Sequence, residues 1–202
     1  RPQRPGDFHF EGRADPAHDH VAIEVAGAEG PARITYNDPR RFGFMDLENT
    51  DALDRSRHFA GMGPEPLDAG FTPEALRASL AGRKAPLKAA LLDQGVVAGL
   101  GNIYVCEALW RSGLSPRRPA GRLSIASAGR LHLAIRTVLA EAIDAGGSSL
   151  RDFANADGAL GYFQHRFSVY DREGAPCLRC GAPVRRFAQA GRSTFACTKC
   201  QK

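Results

Sequence analysis

The chain has 202 residues, of which 43% are hydrophobic, and its formal net charge is +5. This length is enough to bury a core and to form one or two domains. No apolar run approaches the roughly 20 residues of a membrane-spanning helix and no secretory segment is recognisable, so we expect a soluble globular protein rather than a membrane protein.

The region before residue 70 is predicted to be rich in β-structure. Three short apolar segments have the composition of strands, namely residues 21–25, 33–36 and 42–47. Turn-forming residues at 27–31 and 37–39 separate these segments.

Beyond the β-rich region, the apolar residues repeat with the period of an α-helix. Thr72 followed by Pro73 is typical of a helix start, because threonine caps the first turn and proline suits the first helical position. Three further helices are predicted, at residues 84–94, 102–112 and about 124–145. Gly113 and Gly146 end the last two, and a loop at residues 148–170 follows.

The turn before the third predicted helix is rich in glycine and reads Gly95-Val-Val-Ala-Gly-Leu-Gly-Asn102. Gly99 and Gly101 carry no side chain, so a phosphate could approach the free N–H groups at the start of that helix. Asn102 would add an amide donor beside them. Taken alone, however, Asn102 could equally cap its own helix, and both interpretations stay open at this point.

Four of the five cysteines form two Cys-x-x-Cys pairs, Cys177 with Cys180 and Cys197 with Cys200, with sixteen residues between the pairs. This spacing predicts a structural four-thiolate zinc site in a ribbon, because each pair places two sulfurs on one side of a tight turn. Two disulfides would instead suit a small secreted domain. The fifth cysteine, Cys106, is predicted to be a small buried residue in a reducing compartment.

Positive charge is concentrated in residues 172–202. This segment carries a single acidic residue, Glu173, and seven basic ones, namely Arg172, Arg179, Arg185, Arg186, Arg192, Lys199 and Lys202. Phe187 and Phe195 alternate with these charges in a predicted hairpin that turns at residues 189–191. The segment therefore predicts a polyanionic partner, although a solvated cationic tail is the alternative.

Four sequence blocks occur in order along the chain. They are Asp38-Pro-Arg-Arg-Phe-Gly43; Lys84 to Gln94 with the glycine turn; Gly146-Gly-Ser-Ser-Leu-Arg-Asp-Phe153 with Gly161-Tyr-Phe163; and the two Cys-x-x-Cys pairs flanking Gly191-Arg-Ser-Thr-Phe195. With these blocks the chain resembles the bacterial formamidopyrimidine-DNA glycosylases over essentially its whole length. The resemblance implies an α+β fold with three parts: a remnant of an N-terminal β-sandwich domain (residues 1–62), a helix-two-turns-helix domain (63–168) and a C-terminal four-cysteine zinc-ribbon hairpin (169–202).

The same resemblance implies a function in base-excision DNA repair. Members of the family are bifunctional glycosylases and abasic-site lyases, which remove oxidised purines through a Schiff base and then cut the strand by β,δ-elimination. The implied partner is damaged double-stranded DNA, the implied cofactor is one structural zinc ion, and a monomer in the bacterial cytosol is expected. Two alternatives stay open: an endonuclease VIII-like enzyme for oxidised pyrimidines, and a DNA-binding protein without catalysis.

The resemblance also assigns candidate site residues. Extruding a base costs a few kcal/mol and leaves a gap, which an aromatic wedge and a guanidinium can fill. The implied DNA contacts are His18, Arg40, Arg41, Phe42, Lys84, Lys88, Asn102, Tyr162 and Arg192, and the implied zinc ligands are the four paired cysteines. Arg192 is also implied in the late elimination step, and residues 155–163 in a loop over the extruded base. The block at residues 38–43 could alternatively be only a turn, and Lys84 and Lys88 only a solvated helix face.

The start of the chain departs from the family. There the nucleophile is the secondary amine of an N-terminal proline, which glutamate follows, whereas this chain begins Arg1-Pro2-Gln3. The nitrogen of Pro2 is an amide, which has no nucleophilic lone pair. We interpret the chain as a fragment that begins inside the β-sandwich domain, with a natural truncation as the alternative, and expect these residues to bind DNA without excising a base.

Overall fold

The computed structural model describes residues 7–9, 15–27, 30–39, 41–148 and 161–202, which fall into two compact units. The first unit comprises residues 1–49 and 145–164, and the second comprises residues 50–144 and 165–202. Arg40, residues 1–3 and residues 155–160 of the predicted loop lie outside the described residues. Within the described part, no helix is long and apolar enough to cross a membrane.

The first unit contains a three-stranded antiparallel sheet. Its strands are β1 (Asp7–His9), β2 (Asp19–Gly27) and β3 (Gly30–Asn37), in the order β1-β3-β2. β2 and β3 pair along their length, with Ile23 opposite Ile34. The predicted strands at residues 21–25 and 33–36 lie within β2 and β3.

The third predicted strand, at residues 42–47, is absent from the structure, and that prediction was wrong. The backbone N–H of Gly43 donates to the Oδ2 atom of Asp38 at 2.7 Å instead of to a neighbouring strand. Arg41 has a φ of 52°, in the left-handed region that an extended strand does not use. A side chain–backbone hydrogen bond thus turns this apolar segment into a loop.

The second unit is helical. Its helices are α1 (Pro73–Leu80), α2 (Leu87–Leu91), α3 (Asn102–Ser112) and α4 (Ile125–Asp144). The predicted cap is present, since the Oγ1 atom of Thr72 accepts the N–H of Ala75 at 3.1 Å. Gly113, with a φ of 72°, ends α3 in the left-handed conformation that glycine adopts at low cost.

Helix α2 is much shorter than the predicted helix at residues 84–94. The segment before it pairs with residues 118–120: the N–H of Leu87 donates to the carbonyl of Arg118 at 2.7 Å, and that of Ala120 donates to the carbonyl of Ala85 at 2.9 Å. Pro86 takes part in this pairing as an isolated bridge to Pro119. Lys84 therefore precedes the helix instead of lying on its face.

One apolar cluster joins the four helices. Each helix contributes a leucine that is completely buried, namely Leu76, Leu87, Leu109 and Leu131. Burying a leucine side chain stabilises the fold by about 1.5–3 kcal/mol. At the edge of the cluster, Arg111 of α3 donates to both carboxylate oxygens of Glu141 on α4, at 2.8 and 2.7 Å, and these bonds lower the pKa of Glu141.

The cysteine segment forms a hairpin of β4 (Arg185–Gln189) and β5 (Arg192–Ala196). Ala190 and Gly191 connect the strands with φ angles of 49° and 72°, so both connecting residues are left-handed, as a two-residue hairpin turn requires. A second apolar cluster, which includes Trp110, Val184 and Phe195, packs the hairpin against α3.

Glu107 fixes the chain where it enters the hairpin. Its buried carboxylate accepts three backbone N–H groups at 2.9 Å, those of Ser168, Val169 and Tyr170. One α3 side chain thereby satisfies three buried donors in succession, which would otherwise cost free energy.

We expect Glu107→Gln to lower the free energy of unfolding by about 1–3 kcal/mol, because an amide cannot accept on both of its ends and a buried N–H loses its partner. Urea denaturation followed by circular dichroism measures this change. Glu65→Gln, at an exposed position, is the control and should leave stability nearly unchanged. Equal stability of the two variants would contradict the proposed importance of these bonds.

Candidate nucleic-acid interface

In the first unit, Asp38 organises the loop that carries the predicted wedge. Its Oδ2 atom accepts the hydroxyl of Tyr36 at 3.1 Å and the N–H of Gly43 at 2.7 Å. Burial raises the pKa of Asp38, but the hydrogen bonds from Gly43, Tyr36 and the backbone of Arg41 outweigh it and hold the pKa below its usual value. A Cβ atom at residue 43 would collide with the Tyr36 hydroxyl, so the loop requires glycine there.

This loop presents the aromatic residue predicted to enter the base stack. The side chain of Phe42 is 71% exposed, although phenylalanine normally prefers the interior. Arg41, at the turn of the same loop, is also exposed. The exposure is compatible with a wedge, whereas Arg40 lies outside the described residues.

His18 and Tyr162 also lie in the first unit. The carbonyl of His18 accepts the N–H of Asp38 at 3.0 Å, so its backbone supports the wedge loop. Its half-buried ring lies 4.0 Å from the carboxylate of Asp15. Tyr162 follows the undescribed residues; its N–H donates to the carbonyl of Ala145, and its side chain is 66% exposed.

In the second unit, the glycine turn leaves the start of α3 open. Gly101 is the N-cap and provides no side chain, so the N–H groups of the first helical turn have no acceptor within the helix. The amide oxygen of Gln94 accepts the N–H of Gly99 at 2.8 Å and holds the turn in place. Gly99 has a φ of 69° and open space where a Cβ atom would lie. An anion can therefore approach this helix end closely.

Asn102 does not cap its own helix, because the N-cap is Gly101 and no side chain caps the helix. The interpretation of Asn102 as a helix cap is therefore wrong. Its Nδ2 atom instead donates to the carbonyl of Ser193 on the hairpin at 3.0 Å and lies 3.5 Å from the hydroxyl of Tyr170. Its Oδ1 atom is buried and has no hydrogen-bond partner among the described residues.

Lys88 lies where the sequence did not place it. This lysine, predicted to be a phosphate donor or alternatively part of a solvated helix face, is completely buried, and its Nζ atom donates to the carbonyl of Ser193 at 3.0 Å and to the hydroxyl of Thr194 at 2.9 Å. Burial lowers the pKa of Lys88, and the nearby charge of Arg192 lowers it further. This geometry differs from the predicted phosphate contact and makes Lys88 a support for the hairpin. Lys84, by contrast, is exposed.

Arg192 stands at the tip of the hairpin. It is exposed, it opens β5 directly after the two-residue turn, and it precedes the carbonyl that Lys88 and Asn102 hold. The side chains of Lys88 and Asn102 thus fix the backbone next to the exposed guanidinium of Arg192. The arrangement places a cation and an open helix end in one unit, both suited to phosphate.

The four paired cysteines form a site that fits zinc. Their Sγ atoms all lie within 4.8 Å of one another, with 3.9 Å between Cys177 and Cys200 and 3.5 Å between Cys180 and Cys197. These separations exclude disulfides, and a tetrahedron with Zn–S bonds of about 2.3 Å has sulfurs about 3.8 Å apart. A closed site of four thiolates would hold the ion for structure and leave no position for a substrate.

Two of the four thiols have shifted pKa values. Burial raises the pKa of Cys177, but hydrogen bonds from the indole of Trp110 and from backbone N–H groups outweigh it and lower that pKa to about 6. The pKa of Cys200 rises to about 12 because its thiol shares a hydrogen bond with Cys180 and is partly desolvated. These two thiols thus differ in the form that they favour, whereas a divalent cation stabilises its ligands as thiolates.

Two of the seven basic residues counted in the hairpin segment are structural. The guanidinium of Arg179 donates to the carbonyls of Trp110 and Arg111 at 2.8 and 2.7 Å and stacks 4.2 Å from the centre of the Trp110 ring. Arg172 donates to the carbonyls of Ser168 and Pro176. Sequence reasoning missed both roles because nothing local distinguishes a carbonyl-bound arginine from an exposed one.

Two family descriptions match the chain. The formamidopyrimidine-DNA glycosylase H2TH domain matches residues 62–154, and the zinc finger found in FPG and IleRS matches residues 174–202. Two proteins named formamidopyrimidine-DNA glycosylase are similar to this chain. The one from Allorhizobium ampelinum is 55% identical to it, and the one from Caulobacter sp. strain K31 is 58% identical. Each alignment covers 98% of this chain, and 70% and 69% of the respective relative.

Solved structures give the same result. The MutM (Fpg) protein of Thermus thermophilus is 43% identical, with a TM-score of 0.85 over 98% of this chain and 73% of that one. The Lactococcus lactis Fpg, solved in complex with DNA containing an abasic site, is 35% identical, with a TM-score of 0.82 over 96% of this chain and 70% of that one.

We expect Cys197→Ser to abolish zinc binding and to disrupt the hairpin, because structural zinc contributes an apparent free energy of about 10–16 kcal/mol to isolated fingers. The helical cluster should survive, since it packs without the metal. Zinc content and circular dichroism measure the two effects. Cys106→Ser, outside the four-cysteine set, is the control and should retain zinc; a Cys197→Ser protein with full zinc content would contradict the site.

The lowered pKa of Asp38 predicts a pH dependence. Its carboxylate stabilises the fold fully above its unfolded pKa near 3.8, and this contribution is lost as pH falls through the lower folded value. We therefore expect the stability gap between the wild type and Asp38→Asn to be constant near neutral pH and to shrink below pH 3.8. Urea titrations at several pH values measure this gap, and a gap that did not change with pH would contradict the role of the charge.

Proposed function

The chain belongs to the formamidopyrimidine-DNA glycosylase family, and on that premise we propose that it acts in base-excision repair, on oxidised purines such as 8-oxoguanine and formamidopyrimidines in duplex DNA. The observation that carries the proposal is the convergence of Lys88 and Asn102 on the carbonyl of Ser193, which fixes Arg192 in the unit that holds the open end of α3. Structures of a relative with abasic-site DNA and, for one of its mutants, with Fapy-dG DNA support the choice of ligand.

Each unit contributes a distinct part of DNA recognition. In the second unit, Arg192 and the first-turn N–H groups of α3 bind backbone phosphates, which sets the position of the protein but reads no sequence. In the first unit, Phe42 enters the base stack and Arg41 contacts the backbone near it. Stacking of this kind is worth about 1–3 kcal/mol and offsets the cost of extruding the damaged base.

The chemistry in this family begins with a secondary amine. Its nitrogen bonds to C1′ of the sugar while the bond from C1′ to the base breaks, and the base leaves with the electron pair. The sugar ring then opens: the C1′–O4′ bond breaks, O4′ takes up a proton, and the Schiff base that forms at C1′ allows β- and then δ-elimination. In the late step, the guanidinium of Arg192 stabilises the phosphate that leaves, since a positioned cation favours the developing charge. The zinc ion, when bound, holds the hairpin and takes no part in the reaction.

A polypeptide of these 202 residues is expected to keep DNA binding but not base excision. The nitrogen of Pro2 is an amide and cannot attack C1′, so this polypeptide is expected to bind DNA without excision. We further propose that it acts as a monomer, because a protein that clamps one duplex needs no second subunit. Light scattering on the complex with DNA tests the stoichiometry.

Borohydride trapping tests the proposed function. The full gene product, mixed with a duplex that contains 8-oxoguanine opposite cytosine, is expected to yield a covalent protein–DNA adduct after reduction, because borohydride fixes the Schiff base. The same duplex with guanine in place of 8-oxoguanine is the control and should give little adduct. A gene product that binds the damaged duplex but gives no adduct would leave only the non-catalytic alternative.

The 202-residue polypeptide is tested beside the full gene product in the same borohydride experiment, analysed by gel electrophoresis. It is expected to retard the damaged duplex without forming an adduct. Base release by this polypeptide would show that another amine replaces the N-terminal proline.

A further inference from the structure

A basic cleft lies on the flank of the zinc hairpin. It has a volume of about 450 Å³ and lies between the segment after α3 and one side of the hairpin. Arg117 approaches from the segment and Arg185 from β4, while Pro116, Phe187 and Ala196 give the cleft apolar surface. All of these residues belong to the second unit. The volume falls within the range of about 300–1,000 Å³ that is usual for ligand sites.

Two guanidinium groups in the cleft lack a charged partner. Arg117 and Arg185 are exposed, and neither side chain forms a hydrogen bond or an ion pair with any described residue. Arg186 differs, because it lies 3.7 Å from the carboxylate of Glu173. No carboxylate lines the cleft among the described residues. Arg117 and Arg185 therefore keep their guanidinium donors available for an anionic ligand.

The walls of the cleft are fixed before any ligand arrives. The guanidinium of Arg117 stacks 4.1 Å from the centre of the Phe187 ring, which limits its motion. Gln189 donates to the carbonyl of Pro116, which lines the cleft, at 3.0 Å. Gln201, which also lines the cleft, donates to the carbonyl of Leu114 at 2.9 Å. Preorganisation of this kind lowers the entropic cost of binding.

We propose that this cleft binds a phosphate group of the DNA backbone, in addition to the phosphates near Arg192. Two guanidinium groups offer planar pairs of donors that match phosphate oxygens, and Ser115 and Thr198 also line the cleft. Because the inference rests on the proposed function, it extends the footprint of the same duplex.

The geometry of the hairpin supports this source of the phosphate. Arg192 is paired with Gln189, and Arg185 lies four residues before Gln189 on the same strand. Four residues of antiparallel strand span about 14 Å. A single DNA strand carries one phosphate per 3.4 Å of helix axis, so a separation of this length is covered by a few successive nucleotides of one duplex. One bound duplex can therefore reach both positions.

Salt-dependent binding measured by fluorescence anisotropy tests the proposal. The zinc-loaded chain, with a labelled duplex that carries an abasic site, is compared with the double variant R117A/R185A at several salt concentrations. Each lost phosphate contact should reduce the magnitude of the negative slope of log K against log salt by about 0.9. We expect a decrease of that size and weaker binding, and R117K/R185K should restore most of the slope because the charges remain.

The controls separate the possible failures. Arg122→Ala removes an exposed arginine outside the cleft and should behave as the wild type. Arg192→Ala should also reduce the magnitude of the slope, because that residue belongs to the proposed main site. If the wild type does not bind the duplex, the proposed function fails; if it binds and R117A/R185A retains the wild-type slope, only the cleft proposal fails.

Inorganic phosphate and adenosine monophosphate serve as probes for the other source of the same chemistry. If either binds the wild type but not R117A/R185A, while the DNA slope is the same for both proteins, the cleft is a site for free phosphate compounds and the DNA proposal is overturned. Equal zinc content and equal thermal midpoints of all variants ensure that the comparison concerns binding and not folding.

Discussion

The carbonyl of Ser193 is the point on which the second unit depends. Two donors from different helices meet there, the ammonium of Lys88 and the amide of Asn102, at 3.0 Å each. Burying an ammonium group is expensive unless hydrogen bonds satisfy it, so this lysine stabilises a single position of the hairpin. The hairpin, α2 and α3 are thereby held together around one backbone atom. The backbone of the exposed Arg192, which directly precedes Ser193, is therefore held in a fixed position.

The arginines of the hairpin segment occur in two kinds of surroundings. Arg172 and Arg179 bind carbonyl groups and hold the segment against α3. Arg192 faces solvent at the tip, and Arg185 does so on the flank. A count of basic residues indicates a polyanionic partner, but it cannot assign these roles. The distinction is physical, because a guanidinium that already donates to the backbone has fewer donors left for phosphate.

Local features could be predicted from the sequence. The zinc ligands, the cap at Thr72, the turn before Arg192 and the end of α3 at Gly113 all depend on residues that are close in the chain. The length of α2, the burial of Lys88 and the loop after Asp38 could not, because each depends on a partner elsewhere: the segment at 118–120, the carbonyl of Ser193 and the carboxylate that captures Gly43. Apolar periodicity carries no information about such competing acceptors.

Trp110 is the sole tryptophan of the chain, and its indole nitrogen lies 3.4 Å from the sulfur of Cys177. Arg179 covers the same ring. The tryptophan emission of the chain therefore originates at one contact between a helix and a predicted metal ligand. Optical spectroscopy without any added label reads the junction of α3 with the zinc ribbon, at the opposite end of the helix from Asn102.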